Sequence, residues 1–179
     1  DGYEYSFLIG FAGSRVATGG TSDDRNASHA RYVRIEEYSS SSWSQLGSDI
    51  DGEAAGDRSG WSVSMNSAGD RVAIGAQLND GTGTDAGHVR IYEYSNSSWT
   101  KLGSDIDGEA AGDRSGISVS MNSDGDRVAI GAQLNDGTGT DAGHVRVIEI
   151  GSVTISGNSG FRMMSSPVAG QIYGDLLDE

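Results

Sequence analysis

The sequence predicts an all-β fold of repeated four-stranded antiparallel units, and two observations carry that expectation. Trp43 and Trp99 stand 56 residues apart, and the chain from Trp43 to Tyr94 aligns without a gap on Trp99 to Ile150, with 45 of 52 positions identical. Within each unit, short alternating or β-branched runs are separated by clusters of Gly, Asn, Asp and Ser, and no window carries a capped apolar stripe with a period of about 3.6 residues. A period near 50 residues is the signature of a propeller or a solenoid, and four strands in that length make one propeller blade. We therefore expect β-propeller-like blades of four antiparallel strands, about three of them, forming a partial propeller fragment. An antiparallel β-solenoid or a stack of meanders is the alternative.

The elements can be justified in order. An older copy of the unit lies upstream: "GSRVATGG" (Gly13–Gly20) pairs with "GDRVAIGA" (Gly69–Ala76), and "YVRIEEYSSSSW" (Tyr32–Trp43) with "HVRIYEYSNSSW" (His88–Trp99). In the second unit "WSVSMN" (Trp61–Asn66) alternates and ends at the turn "SAGD". "RVAIGA" (Arg71–Ala76) is apolar or small after its arginine, as a strand covered on both faces should be. Its small residues Ala73, Gly75 and Ala76 suit a place where backbones approach closely. "HVRIYEY" (His88–Tyr94) is β-branched and aromatic, and "SWTKLG" (Ser98–Gly103) is a shorter fourth strand whose Trp covers the outer edge. The expected organisation is repeat one over residues 1–46, lacking its first residues; repeat two over 47–102; repeat three over 103–155; and a non-repeat tail over 156–179 that starts a following module. "GSVTIS" (Gly151–Ser156) is expected as a substitute fourth strand for the last unit, and a short helix near Tyr173–Asp178.

Composition narrows the function classes. The formal net charge is −14 and cysteine is absent, so disulfides, thiolate metal sites and a cysteine nucleophile are excluded. A nucleic-acid groove needs clustered Lys and Arg, which this balance opposes, while the same charge disfavours anionic membrane surfaces and leaves room for divalent cations. No apolar run approaches the roughly 20 residues of a membrane span, so membrane insertion is not expected. The opening "DGYEYSFLIG" has no basic n-region and no signal-peptide core.

The segment "SGWSVSMNSAGDRVAIGAQ…GHVRIYEY" resembles the FG-GAP repeat of integrin-α-type β-propellers. Ser59 to Val63 stands where that family has its FG, Gly75–Gln77 where it has GAP, and "GHVRIYEY" where it has its Gly-x-Val-Tyr strand. "GSDIDGEAAGDRSG" and the loop before "GHVRVI" resemble a version of the repeat found in large exported proteins of bacteria and algae. The resemblance covers about residues 3 to 150. It implies an extracellular or cell-surface location, propellers of about seven blades, and adhesion through protein or glycan ligands, or packing against neighbouring blades of a parent chain. It leaves two other readings open: an accessory region that positions substrate for an extracellular hydrolase, and a purely structural spacer array.

Three acidic segments are candidates for Ca²⁺, the one cofactor expected. The resemblance implies a calcium loop between the FG and GAP strands, but "MNSAGDRV" and "MNSDGDRV" are too short for its pattern and read first as hairpin turns. "QLNDGTGTDAG" supplies Asn79, Asp80 and Asp85, repeated as Asn135, Asp136 and Asp141, with glycines that let a chain wrap an ion. The aligned stretch of the first unit, "TSDDRNASHAR", has arginines in place of glycines, so this chemistry is not required by the strands around it. "DIDGEAAGD" places Asp49, Asp51, Glu53 and Asp57 at calcium-loop spacing, repeated as Asp105, Asp107, Glu109 and Asp113, although its glycine falls at the wrong place. This segment also reads as an acidic inter-blade linker. No catalytic residue is expected: His88 and His144 occupy equivalent places in different blades, no activated nucleophile stands beside them, and "GTGTDAG" has neither the Lys nor the helix of a phosphate loop.

Overall fold

The computed structural model describes residues 8–20 and 31–151. The first unit's counterpart of the Gly-rich loop, with Asp23, Asp24 and His29, lies outside them, as do the strand expected at "GSVTIS" and the helix expected near Tyr173–Asp178. The described chain is all β, with no helix, and forms three consecutive antiparallel sheets, none of which closes on itself.

The first sheet joins β1 (Leu8–Ala12), β2 (Arg15–Gly19), β3 (Tyr32–Ser39) and β4 (Ser42–Gln45). The second repeats it with β6 (Ser59–Met65), β7 (Arg71–Ala76), β8 (His88–Ser95) and β9 (Ser98–Lys101). The third shows β11 (Ser115–Met121), β12 (Arg127–Ala132) and β13 (His144–Glu149). The four-stranded meander read from the repeat is present in the first two sheets and its first three strands in the third, with one addition. The first residues of the acidic segment form two-residue strands, β5 (Ile50–Asp51) and β10 (Ile106–Asp107), which extend β3 and β8 respectively. The alternation of Val, Ile and polar residues fixes the register, since a one-residue slip would turn every apolar side chain to the wrong face.

The core lies between sheets. Ala17, Val33, Ile35, Val63, Met65, Val72 and Ile74 pack together where the first sheet meets the second. Ala73, Val89, Ile91, Met121, Val128 and Ile130 do the same where the second meets the third. Strand β7 therefore contributes to both seams through alternate residues, Val72 and Ile74 on one face and Ala73 on the other. Its doubly apolar sequence has this cause. Burying each Val or Ile contributes about 1.5–3 kcal/mol, so a blade without a neighbour forgoes much of its stabilisation.

Polar ties repeat along the seams at close to one repeat length. The Arg71 guanidinium donates to the Gly125 carbonyl at 3.0 Å while holding Glu93 of its own sheet at 2.8 Å. Arg15 makes the corresponding bonds to Gly69 and Glu37. Ser62 Oγ donates to the Gly116 carbonyl at 2.7 Å, Ser64 Oγ accepts from the Met121 amide at 2.9 Å, and Trp99 Nε1 donates to the Leu46 carbonyl at 2.8 Å.

Glycine is required where the sheets touch. A β-carbon on Gly75 would stand 2.1 Å from the Gly116 carbonyl oxygen of the next sheet, and one on Gly19 would stand 2.1 Å from that of Gly60. In the third sheet the counterpart, Gly131, would meet only the Ser118 hydroxyl closely, at 2.4 Å, and that hydroxyl can rotate away. Replacing Gly75 by Ala is expected to cost about 1–3 kcal/mol more than replacing Gly131 by Ala. Urea denaturation of the two variants checks this, and equal losses would contradict the seam as described.

Candidate functional site

The Gly-rich loop between β7 and β8 is built from its own side chains and from the segment that enters the next sheet. Asn79 is buried: its amide donates to Asp57 Oδ2 at 2.8 Å, and its Oδ1 accepts from the Gly81 amide at 2.9 Å. Asp80 Oδ1 accepts from the Asp85 amide at 2.8 Å, which closes the loop tip and holds Asp85 at φ 54°. Thr82 Oγ1 donates to the Gly108 carbonyl, and the Gly112, Arg114 and Ser115 amides donate to the carbonyls of Thr84, Asp85 and Ala86. The glycines serve this docking. A β-carbon on Gly83 would stand 2.9 Å from Ala111 Cβ, and Gly87 has φ +74° with the Ser115 carbonyl oxygen 2.2 Å from where a β-carbon would be. In the third unit the internal bonds recur, Asn135 to Asp113 at 2.9 Å and Asp141 to Asp136 at 2.8 Å. The closed loop shape is therefore encoded locally.

The acids of "DIDGEAAGD" serve several partners rather than one ion-binding centre. Asp49 receives a two-pronged bond from Arg34, at 2.8 and 2.7 Å, and a third bond from Gln45. The backbone carbonyl of Asp51 accepts from Arg90 at 2.8 Å. Glu53 faces Arg90 Nη1 at 3.5 Å and His88 Nδ1 at 3.9 Å, and Asp57 holds Asn79. In the second copy Asp105 pairs with Lys101 at 2.9 Å, the Asp107 carbonyl accepts from Arg146, Glu109 faces Arg146 at 3.7 Å and His144 at 3.7 Å, and Asp113 holds Asn135. The structure thus joins two candidate sets that the sequence presents as separate: Asp57 with Asn79, and Asp113 with Asn135.

A further grouping was not expected from sequence. Glu53 from one acidic segment, Asp105 from the next copy and His88 at the start of β8 bring one ligand atom each to within 4.8 Å of one another. The signal was available in the pairing of β8 with β10, which sets His88 opposite Asp107, two residues past Asp105. The histidine is buried, and desolvation together with the Arg90 charge lowers its pKa below the ordinary 6.5, against the opposing pull of Asp105, Glu53 and Asp107. Its imidazole is therefore neutral at neutral pH.

The short turns "NSAGD" and "NSDGD" are closed by their asparagines. Asn66 Oδ1 accepts from the Asp70 and Arg71 amides while its Nδ2 donates to Asp70 Oδ1 at 2.7 Å. Asn122 repeats the side-chain bond to Asp126 at 2.7 Å. Among the described residues, the hydroxyl groups of Ser62, Ser67 and Thr82 donate to main-chain carbonyls, those of Ser59, Ser64 and Ser115 accept from Arg90, the Met121 amide and Arg146, and no Ser–His or Ser–carboxylate bond is formed.

Residues 49–92 match the family model of the FG-GAP repeat, and residues 105–148 are its near-identical second copy. No curated protein matches the chain. Among solved structures, an acylaminoacyl peptidase in complex with Z-Gly-Gly-Phe-chloromethyl ketone is similar at 12% identity and a TM-score of 0.45, over 80% of this chain and 23% of that one. The acylaminoacyl peptidase of Pyrococcus horikoshii is similar at 13% identity and a TM-score of 0.45, over 81% of this chain and 23% of that one. A chain of the mitotic checkpoint complex is similar at 14% identity and a TM-score of 0.43, over 77% of this chain and 47% of that one. The chain therefore spans about a quarter of each peptidase and less than half of the checkpoint chain. The described residues form a segment of β-propeller repeats, and they contain no helix long and apolar enough to cross a membrane.

The loop geometry predicts a specific weakness. Replacing Asn79 by Ala leaves the buried Asp57 carboxylate without its donor, and the expected cost is about 1.5–3 kcal/mol. Chemical denaturation measures it, with faster amide exchange expected at Gly81 and Gly87. A change within about 0.5 kcal/mol, as for an ordinary surface position, would contradict the structural role assigned to this residue.

Proposed function

We propose that the chain is a non-enzymatic β-propeller repeat segment of a larger secreted or cell-surface protein, and that it mediates adhesion by presenting its loops to a protein or glycan ligand. One observation carries the reading. The β7–β8 and β12–β13 loops are the same connection in neighbouring sheets, each is rigidly closed by an Asn–Asp bond at its base, and each lifts a polar tip into solvent: Asp80 to Thr82 and Thr84 in one, Asp136 to Asp141 in the other. Fixed loops along one edge of a stack of sheets are a common way for a rigid scaffold to hold binding residues. A pre-organised tip also loses little conformational freedom when a ligand is captured.

Calcium belongs to this reading as a weak loop ligand at the exposed carboxylates. Asn79 and Asn135 are already engaged through both ends of their amides, so the oxygens offered to an ion come from Asp80 and Asp85, from Asp136 and Asp141, and from water. That is fewer protein ligands than a tight calcium site uses, and it favours affinities of the millimolar, extracellular kind.

The test is a screen of the full chain against arrays of glycans and extracellular matrix proteins, with and without millimolar Ca²⁺. A ligand is expected to be retained by the wild type and lost when Asp80, Asp85, Asp136 and Asp141 are all changed to Asn. Retention that survives the fourfold variant, or a chain that binds nothing on either array, would overturn the proposal. Titration calorimetry with Ca²⁺ tests the metal part alone, since no heat at millimolar concentration removes it.

A further inference from the structure

The face of the second sheet that meets the first brings together side chains that neither the FG-GAP match nor the loop reading accounts for. His88 opens β8, and its side chain is only 2% exposed. Its Nδ1 faces Glu53 Oε2 at 3.9 Å. Around it, one ligand atom each from Glu53, His88 and Asp105 fall within 4.8 Å of one another.

We propose that Glu53, His88 and Asp105 form a binding site for a divalent transition-metal ion of the zinc class, built across the seam between consecutive blades. The donor set decides the class. One imidazole nitrogen with two carboxylates suits zinc and its neighbours, whereas calcium takes oxygen ligands alone. Bonds of about 2.1 Å place two ligands of a tetrahedral ion roughly 3.4 Å apart, so closure from the observed spacing needs shifts of about an ångström. Glu53 and Asp105 lie on the connecting segments and keep side-chain exposures of 41% and 25%, so they can supply that movement. His88 is fixed by β8.

The surrounding charges hold the carboxylates in place. Arg90 approaches Glu53 through Oε1 at 3.5 Å, while Oε2 is the oxygen that faces the histidine. Lys101 grips Asp105 through Oδ1 at 2.9 Å. Each acid is thereby held by a neighbouring cation, the way outer groups orient metal ligands. The two cations raise the local positive charge, and Asp107, which also acts on His88, offsets part of it.

The repeat supplies an internal control. Glu comes from one copy of the acidic segment, His from the strand that follows and Asp from the next copy, so the site needs three successive pieces. In the third unit Glu109 and His144 are in place, with Nδ1 3.7 Å from Oε2, but the residue 56 positions after Asp105 is Phe161. In the first unit Tyr32 stands where His88 does. Among the described residues one such site is therefore expected, at His88.

Zinc chloride is titrated into the full chain against a chromophoric chelator, and Co²⁺ is used in parallel for its visible absorption. One ion per chain is expected at this site, with each of H88Q, E53Q and D105N weakening binding by at least about tenfold, the lower range even for outer-shell changes at metal sites. H144Q and E109Q are expected to leave affinity unchanged, and excess Ca²⁺ to leave the Co²⁺ spectrum unchanged. E53Q alters an exposed side chain and keeps the test valid if H88Q fails to fold, which circular dichroism reports. Zinc bound equally well by H88Q or E53Q as by the wild type, equal weakening by H144Q, or no zinc bound by the folded wild type would each overturn the proposal.

Discussion

The structure depends on the contact between one sheet and the next. Gly75 lies against the Gly116 carbonyl and Gly19 against that of Gly60, so close that no side chain fits between them. That approach lets Val72 and Ile74 bury against the sheet before and Ala73, Val89 and Ile91 against the sheet after. The cores belong to the seams, and a single blade has only half of each. This explains why the polar ties run between sheets at about one repeat length, with Arg71 reaching Gly125 as Arg15 reaches Gly69.

The two ends of the described array differ from its middle in the way this constraint requires. Val89 and Ile91 are fully or almost fully buried, whereas Val145 and Val147, at the same positions one repeat later, are 67% and 66% exposed. Trp99 packs on Leu46 of the preceding sheet and donates to its carbonyl, whereas Trp43, with the same tilted tyrosine beside it, is half exposed. Arg127 and Glu149, the counterparts of the ion-paired Arg71 and Glu93, are also largely in solvent. One end of the array shows apolar strand surface and the other an indole, and these are the two halves of the contact made inside it. The loops proposed to bind a ligand and the proposed zinc site both sit along such seams, so any function that uses them inherits the same dependence on a neighbouring blade.

Much of this was legible in the sequence because repetition exposes it. The 56-residue spacing of Trp43 and Trp99 established the unit, and the doubly apolar "VAIGA" announced a strand covered on both faces. The turns at Asn66 and Asn122 were readable as hairpins from "NSAGD" and "NSDGD". The short strands β5 and β10 were harder to see, since "ID" within an acidic segment carries no periodicity of its own. The site residues were less legible still. Asn79, Asp80 and Asp85 look like a ligand set along the chain, yet Asn79 turns inward to Asp57, a residue 22 positions away. Linear spacing treats Asp49, Asp51, Glu53 and Asp57 as one loop, whereas strand pairing sends them to Arg34, Arg90 and Asn79. The meeting of Glu53 with Asp105 across a whole repeat depends on which strand β10 joins, and local sequence does not state that.

The claim that each sheet is completed by the next is open to a direct measurement, because the chain contains no cysteine. Single cysteines placed at Val89 and at Val145 occupy the same position in consecutive units, and each can be labelled with a soluble thiol reagent under native conditions. The account predicts that the cysteine at 145 reacts at close to the rate of an unfolded peptide while the one at 89 reacts only as fast as the chain opens. Equal protection at the two positions would contradict it, since the β13 face would then be covered without a further blade.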